Sequence, residues 1–357
     1  MKTSSLIKAL NLAKPSLGTS DAIPVLAHFC FDGDVVYAYN DITAIIVEEQ
    51  TGLSCALLGD TLIGLLEASG DEDIDIKLDA KASSANIKFS SGSAKIPTLP
   101  VSEFVFQYPE GETAFDLPLT ESIIKAIETC LISVSVDSLK PEFAGITLDV
   151  SKAGVVLYSS DNITASRYVL EKKIGRKTVS VVIPTAACQH LIKLFSVCGK
   201  ENAKLSVGDG FAVATFAGAT LITKLLGANA EAFARIFSEH TDSSKLFDLP
   251  DGLSMEIAKA KVVLGFDQVK ECFVEFAKNK VLIAATGTLG KVDASLPAKG
   301  SGSGIVNVSP EIVARALPLV KQIAINNARS LILYGDGLTH IISSAQVKPT
   351  DKVTNGN

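Results

Sequence analysis

Apolar residues recur at helical spacing in six stretches of the chain, and these stretches are of two kinds. Those of the first kind read SSLIKALNLAKP from Ser4, TESIIKAIETCLIS from Thr120 and SMEIAKAKVVLG from Ser254. Each predicts a helix with one apolar stripe: Leu6, Ile7, Leu10 and Ala13; Ile123, Ile124, Ile127 and Leu131; Ile257, Ala258, Val262 and Val263. A hydroxyl near each start suits the first amides, which have no partner inside a helix. Stretches of the second kind follow a short apolar strand and read ALLGDTLIGLLEASG, VVIPTAACQHLIKLFSVCG and VNVSPEIVARALPLVKQI. Their starts, Asp60, Thr185 and Pro310, offer an acceptor side chain or a first-turn proline, and recur with a period of about 125 residues.

Alternating, strand-like runs follow each helix of the second kind: IDIKLDA with ANIKFSSG, AKLSVGDG with AVATFAG, and SLILYGDG with THIISSA. Two units also agree residue by residue, because VVYAYNDITA from Val35 matches VVLYSSDNITA from Val155 with one insertion. SAKIPT from Ser93 likewise resembles SAQVKPT from Ser344. One order of signals met three times predicts a triplicated α+β unit. Periodicity lapses around Tyr108 to Glu112 and around Glu239 to Lys245, which places domains at 1–110, 111–241 and 242–357, the last ending in the polar tail KPTDKVTNGN. Gly300 to Gly304 reads as a flexible loop within the third unit.

Composition narrows the function. Of 357 residues, 47% are hydrophobic and 20% charged, which favours packed cores in more than one domain over disorder. With no run of about 18 apolar residues and no cleavable leader, a cytoplasmic protein without membrane contact is expected. Six scattered cysteines, with no CxxC pair, predict reduced thiols rather than disulfides or a zinc site. His28, His190, His240 and His340 have no carboxylate or nucleophile at a telling spacing, and no phosphate-cradling loop occurs. GDGFAVATFAG, though rich in glycine, reads as a hairpin. Neither an enzyme nor a cofactor is expected. A net charge of −6 argues against a generally basic surface, so any nucleic-acid contact must be local.

Five stretches, in register over nearly the whole chain, resemble the bacterial β sliding clamps, the DNA polymerase III beta subunits. They are IPVLAHFCFDGDVVYAYNDITAIIVEE; the helix from Leu119 to Ile132; EFAGITLDV with VVLYSSDNITASRYVL; VVIPTAACQHLIKLF; and LITKLLGANAEAFARIF. The resemblance implies three clamp domains, each of two helices packed on antiparallel sheets, and a homodimeric ring that encircles double-stranded DNA. It also implies partners, a polymerase and a clamp loader, that dock through short peptides. Departures mark a divergent member, such as a phage or plasmid clamp. Asn162, Ile163 and Thr164 replace the family's glycine, histidine and arginine, Glu231 and Phe233 replace its proline and tyrosine, and the family's short apolar ending is missing.

On this resemblance the helices line the hole, and the DNA-facing residues are Lys8, Lys14, Lys125, Lys193, Lys200, Lys259, Lys261, Arg315 and Lys321. They fall on five of the six helices of an acidic chain, and weak screened contacts suit a ring that must slide. The implied peptide pocket comprises Phe143, Gly145, Ser160, Asn162, Ile163, Ala165, Arg235 and Ile236, with Val347 and Pro349 from the chain end. A clamp-like scaffold that binds replication partners without encircling DNA stays open as the alternative.

Overall fold

A computed structural model describes residues 1–19, 23–79, 81, 83–135, 140–170, 178–241, 246–326 and 330–345. One order of elements is met three times along them. The first pass runs α1 (Thr3–Ala13), β1 (His28–Tyr39), β2 (Thr43–Leu58), α2 (Gly59–Ser69), β3 (Asp75–Leu78), β4 (Ser84–Lys88) and β5 (Ser93–Leu99). The second runs β6 (Thr113–Pro118), α3 (Glu121–Cys130), β7 (Gly145–Ser151), β8 (Gly154–Ser160), β9 (Thr164–Leu170), β10 (Val179–Pro184), α4 (Thr185–Cys198), β11 (Lys204–Gly208), β12 (Phe211–Phe216) and β13 (Ala219–Lys224). A helix, α5 (Ala230–His240), precedes the third pass. That pass runs β14 (Leu246–Asp248), α6 (Leu253–Val263), β15 (Cys272–Ala277), β16 (Lys280–Gly287), β17 (Gly290–Pro297), β18 (Gly304–Val308), α7 (Pro310–Ala316), β19 (Gln322–Ile325), β20 (Ser330–Tyr334) and β21 (Leu338–Ser343). In the first pass, β1 and β2 each do the work of two strands. His28–Asp32 pairs with Ser54–Leu58, Val35–Tyr39 pairs with Ala44–Glu48, and a bulge lies between Gly33 and Val35.

The chain forms two compact units. Unit one, Met1–Ile124 with Ala186–Leu225, holds a sheet of order β3-β4-β5-β2-β13-β12-β11-β6, with β1 also on β2. Unit two, Lys125–Thr185 with Leu226–Asn357, holds the sheets β10-β7-β8-β9-β21-β20-β19-β14 and β17-β16-β15-β18. Each large sheet has a seam where strands of successive passes pair antiparallel. In unit one Thr43–Val47 of β2 meets Ala219–Thr223 of β13; in unit two Thr164–Tyr168 of β9 meets Leu338–Ile342 of β21.

The apolar stripes of α1 and α3 are buried through Leu6, Leu10, Ala13, Ile123, Ile124 and Ile127. In α6 the expected stripe holds only at Ile257, which faces the core with Leu253 and Ala260, whereas Ala258 is exposed and Val262 is 67% exposed. The helices of the second kind begin where expected, α7 with the expected first-turn proline Pro310 and α2 without a side-chain cap. Asp60 lies in the first turn of α2, where it favours the positive end of the helix dipole, and the Thr185 hydroxyl donates to the Ala144 carbonyl. The likeness of SAKIPT to SAQVKPT is out of register, because Ser93 opens β5 whereas Ser344 follows β21. Gly300 packs closely, since a Cβ there would meet Phe247 at 2.4 Å. The hairpin read from GDGFAVATFAG is β11 with β12.

Candidate functional site

The two matching stretches, from Val35 and from Val155, build one local device twice. After β8 the Asp161 carboxylate accepts the amides of Ile163 and Thr164, and Asn162 takes φ +69, a left-handed conformation that asparagine tolerates. The turn leaves Ile163 53% exposed. Between β1 and β2, Asn40 accepts the amides of Ile42 and Thr43, Asp41 has φ +74, and Ile42 is 48% exposed.

In unit two α5 lies beside this turn. The Asn229 side chain caps it by accepting the Ala232 amide at 3.1 Å, and Phe233 and Phe237, one turn apart, face the sheet. Phe233 stacks on Tyr158 at 5.3 Å and meets Phe143 edge-on at 5.7 Å; the Arg167 guanidinium sits 5.0 Å from the Phe237 ring. Next to α5 opens a cavity of about 170 Å³, into which Phe143, Ser160, Asn162, Ile163, Ala165 and Ile236 converge. Lys140 stands at its rim, donating to Asn162 at 3.1 Å and lying 5.3 Å from the Phe143 ring.

Two other residues expected at this pocket, Gly145 and Arg235, do not line it. The backbone of Gly145 runs so close to β10 that a Cβ would meet the Ile183 carbonyl at 2.2 Å. Arg235 points into solvent, 4.0 Å from Glu239, and Val347 and Pro349 lie outside the described residues. Thr164, His240, Ile341 and Ser343 complete the lining. Ile341 arrives through the pairing of β21 with Ala165, and His240 ends α5, its Nδ1 2.9 Å from the Ser330 hydroxyl.

On the other face of this seam lies a closed polar network, since successive strand residues point to opposite sides. The Ser133 and Ser166 hydroxyls are 2.8 Å apart, and His340 Nδ1 is 2.9 Å from Ser166 and 3.3 Å from Ser133. The Thr164 hydroxyl lies 3.0 Å from both Ser133 and Asp161. His340 is 1% exposed, and burial pushes its pKa down to about 4, helped by Arg315 and opposed by Asp161. Enclosed at this depth, the Ser–His contact fastens the seam. Among the described residues no cluster of His, Cys, Asp or Glu is placed to hold a metal.

All nine of the basic residues expected to face DNA are exposed: Lys8, Lys14, Lys125, Lys193, Lys200, Lys259, Lys261, Arg315 and Lys321. Three are held by acids: Lys200 by Glu121 at 2.7 Å, Lys259 by Glu256 at 2.8 Å and Lys321 by Asp336 at 2.7 Å. Lys193 donates to the Asn11 carbonyl at 3.2 Å.

No family model and no curated protein matches the sequence. Solved structures do. A putative DNA polymerase III beta subunit from Eubacterium rectale superposes with TM-score 0.87 at 15% identity, covering 97% of this chain and 100% of that one. The chain has the sliding-clamp fold. The Pseudomonas aeruginosa DNA polymerase III subunit beta gives TM-score 0.85 at 13% identity over 97% and 99% of the two chains, and the Thermotoga maritima beta subunit 0.83 at 14% over 98% and 99%. The clamp fold thus spans nearly the whole chain at 13 to 15% identity. No helix among the described residues is long and apolar enough to cross a membrane.

Proposed function

We propose that this chain is a DNA sliding clamp. Two copies close into a ring around duplex DNA in the cytoplasm and tether the replicative polymerase and the clamp loader, whose peptides dock in the cavity beside α5. On this reading the protein is a tether rather than an enzyme, the three passes are domains 1–110, 111–241 and 242–357, and the nine basic residues above face the DNA.

The observation that carries the reading is a pair of matching open ends left by the two internal seams. A cleft in unit one joins α1 and β2 of the first pass to the end of α4, through Lys8, Leu12, Val47 and Val197. Its counterpart in unit two joins α3 and β9 of the second pass to the segment after α7, through Lys125, Tyr168, Leu319 and Leu338. The third cleft has only half its walls in one chain: α2 and the β4–β5 turn supply Leu65, Ala68 and Phe89. By the order of the passes, the missing walls are α6 and β17 of a second copy. There β17 stands at a sheet edge, and Val262, Phe266, Val269 and Leu289 are all more than half exposed, the apolar surface expected where a partner belongs.

Two measurements test this. The solution mass is expected at twice 37.5 kDa, falling to the single-chain value in Phe266→Asp. The protein loaded on closed circular DNA is expected to stay through a salt wash and to leave when the circle is cut. Lys125→Glu, Lys193→Glu and Arg315→Glu together are expected to abolish that retention with folding intact. A surface-bound scaffold would ignore linearisation.

A further inference from the structure

The two internal seams pair in one register, and the hairpins on either side of each seam recur with the same spacing where no seam exists within the chain. In the hairpins of β1 with β2 and of β8 with β9, Ala38 pairs with Ile45 and Ser159 with Ser166. In β16 with β17, Ala285 pairs with Val292 at the same separation, so Val292 holds the place of Ile45 and Ser166. In the hairpins of β12 with β13 and of β20 with β21, Ala214 pairs with Leu221 and Leu333 with His340. In β4 with β5, Ile87 pairs with Ala94, again at equal separation, so Ala94 holds the place of Leu221 and His340. Ile45 meets Leu221 across the first seam and Ser166 meets His340 across the second. A third seam built alike sets Val292 opposite Ala94.

Both strands have a side to offer. β17 stands at the edge of its sheet. β5 pairs with β4 along Ser93–Pro97 but meets β2 only through Thr98 and Leu99. Burial agrees with the register: Ala94 and Val292 are half-buried, while their neighbours Lys95 and Lys291 are exposed. The first pair therefore turns toward the helices and the second toward the outer face.

Antiparallel pairing then brings Ser93 to Asp293, Ala94 to Val292 and Lys95 to Lys291. Where the internal seams set Ala44 against Ile222 and Ala165 against Ile341, this joint sets lysine against lysine. Their row on the outer face continues to Asn86 on β4 and Thr286 on β16, and holds no acid. The next row carries Lys88 beside Ser93, and its one acid, Asp293, is already held by Lys291 at 2.7 Å. Like charges directly opposite on neighbouring strands weaken the pairing, most of all where little salt screens them.

We infer that the joint between two copies is a salt-sensitive gate: Gly92–Ile96 of one copy pairs with Gly290–Ala294 of the other, and the opposed Lys95 and Lys291 make it the weakest of the three seams. This rests on the ring reading and adds to it where the ring parts and what controls the parting. Salt that loosens contacts with DNA phosphates tightens this joint, so the ring grips itself more firmly as it grips DNA less.

The test uses the full chain. Ala94→Cys with Val292→Cys is expected to join two copies into one covalent product on a denaturing gel under mild oxidation, whereas Ile96→Cys with Val292→Cys, one place further along the same face, is not. The dissociation constant of the pair of copies, measured by sedimentation, is expected to fall as sodium chloride rises from about 0.05 M to about 0.5 M. Lys95→Glu is expected to tighten the pair at low salt by roughly threefold at each joint, about tenfold over the two, and to reverse the salt dependence. In the Lys291→Ala chain the same Lys95→Glu change is expected to bring no tightening. A single-chain mass at every salt concentration would overturn the ring reading and the gate together. A two-chain mass with the shifted cysteine pair cross-linking instead, or with Lys95→Glu no tighter than the native chain, or with its tightening undiminished by Lys291→Ala, would leave the ring and remove the gate.

Discussion

The two seams share a backbone and differ in what fills them. On the helix side of the first, Ile45 pairs with Leu221, and the Ser16 hydroxyl, buried beneath, has no partner among the described residues. On the second, Ser166 and His340 stand at the corresponding places, and Ser133 hydrogen-bonds with both. On the outer face the first seam is sealed by Tyr39, Phe104 and Phe106, while the second leaves the cavity beside α5. Pairing register thus sets the architecture, whereas the side chains on each face decide what packs over the seam. A buried polar cluster also holds the second seam to one register, because slipping by a residue would strand its donors.

The largest effect should come from the rings. Phe233→Ala empties a fully enclosed position and is expected to cost about 4 kcal/mol of unfolding free energy, against about 3 kcal/mol for Phe104→Ala in the first seam. Urea denaturation measures both, and equal small losses would mean that α5 is not packed as described.

Next is acid sensitivity of the second seam alone. The buried His340 ring stays neutral in the folded protein down to about pH 4, whereas the unfolded ring takes a proton below its usual 6.5. The unfolded state therefore binds more protons between these values, and stability falls as pH falls through that window, by about 3 kcal/mol in all. His340→Leu, which copies Leu221, is expected to flatten the slope from pH 7 to 4 relative to the native chain. Superimposable slopes would contradict the assignment.

The smallest effect should come from the rims. Ile42→Glu and Ile163→Glu change exposed side chains and are expected to alter stability by no more than about 0.5 kcal/mol. Only Ile163→Glu should weaken peptide binding. Loss of binding in Ile42→Glu would erase the distinction between the seams.

Much of this was legible in the chain. The spacing of Leu6 and Leu10, and of Ile123 and Ile127, marks helices whose buried faces the structure bears out, because periodicity reports burial whenever the neighbour lies in the same chain. It misleads at Val262, where an apolar residue at helical spacing faces outward. The cap and one-turn repeat of α5 at Asn229, Phe233 and Phe237 lie inside a stretch that the clamp resemblance presents as one closing segment, which hides the helix. The turn residues Asn162 and Ile163 follow from the resemblance to the clamps. Ile341 and Ser343 do not, because they reach the cavity through a pairing of strands more than 170 residues apart in sequence, which local pattern cannot encode.

The free edge of β17 has one more consequence. On the ring reading each chain offers a sheet edge at β17 and a half-walled cleft at α2, and such head-to-tail contacts either close on themselves or propagate without limit. On β17 the Lys291–Asp293 ion pair, at 2.7 Å, places charges along the open strand, a guard against indiscriminate strand addition.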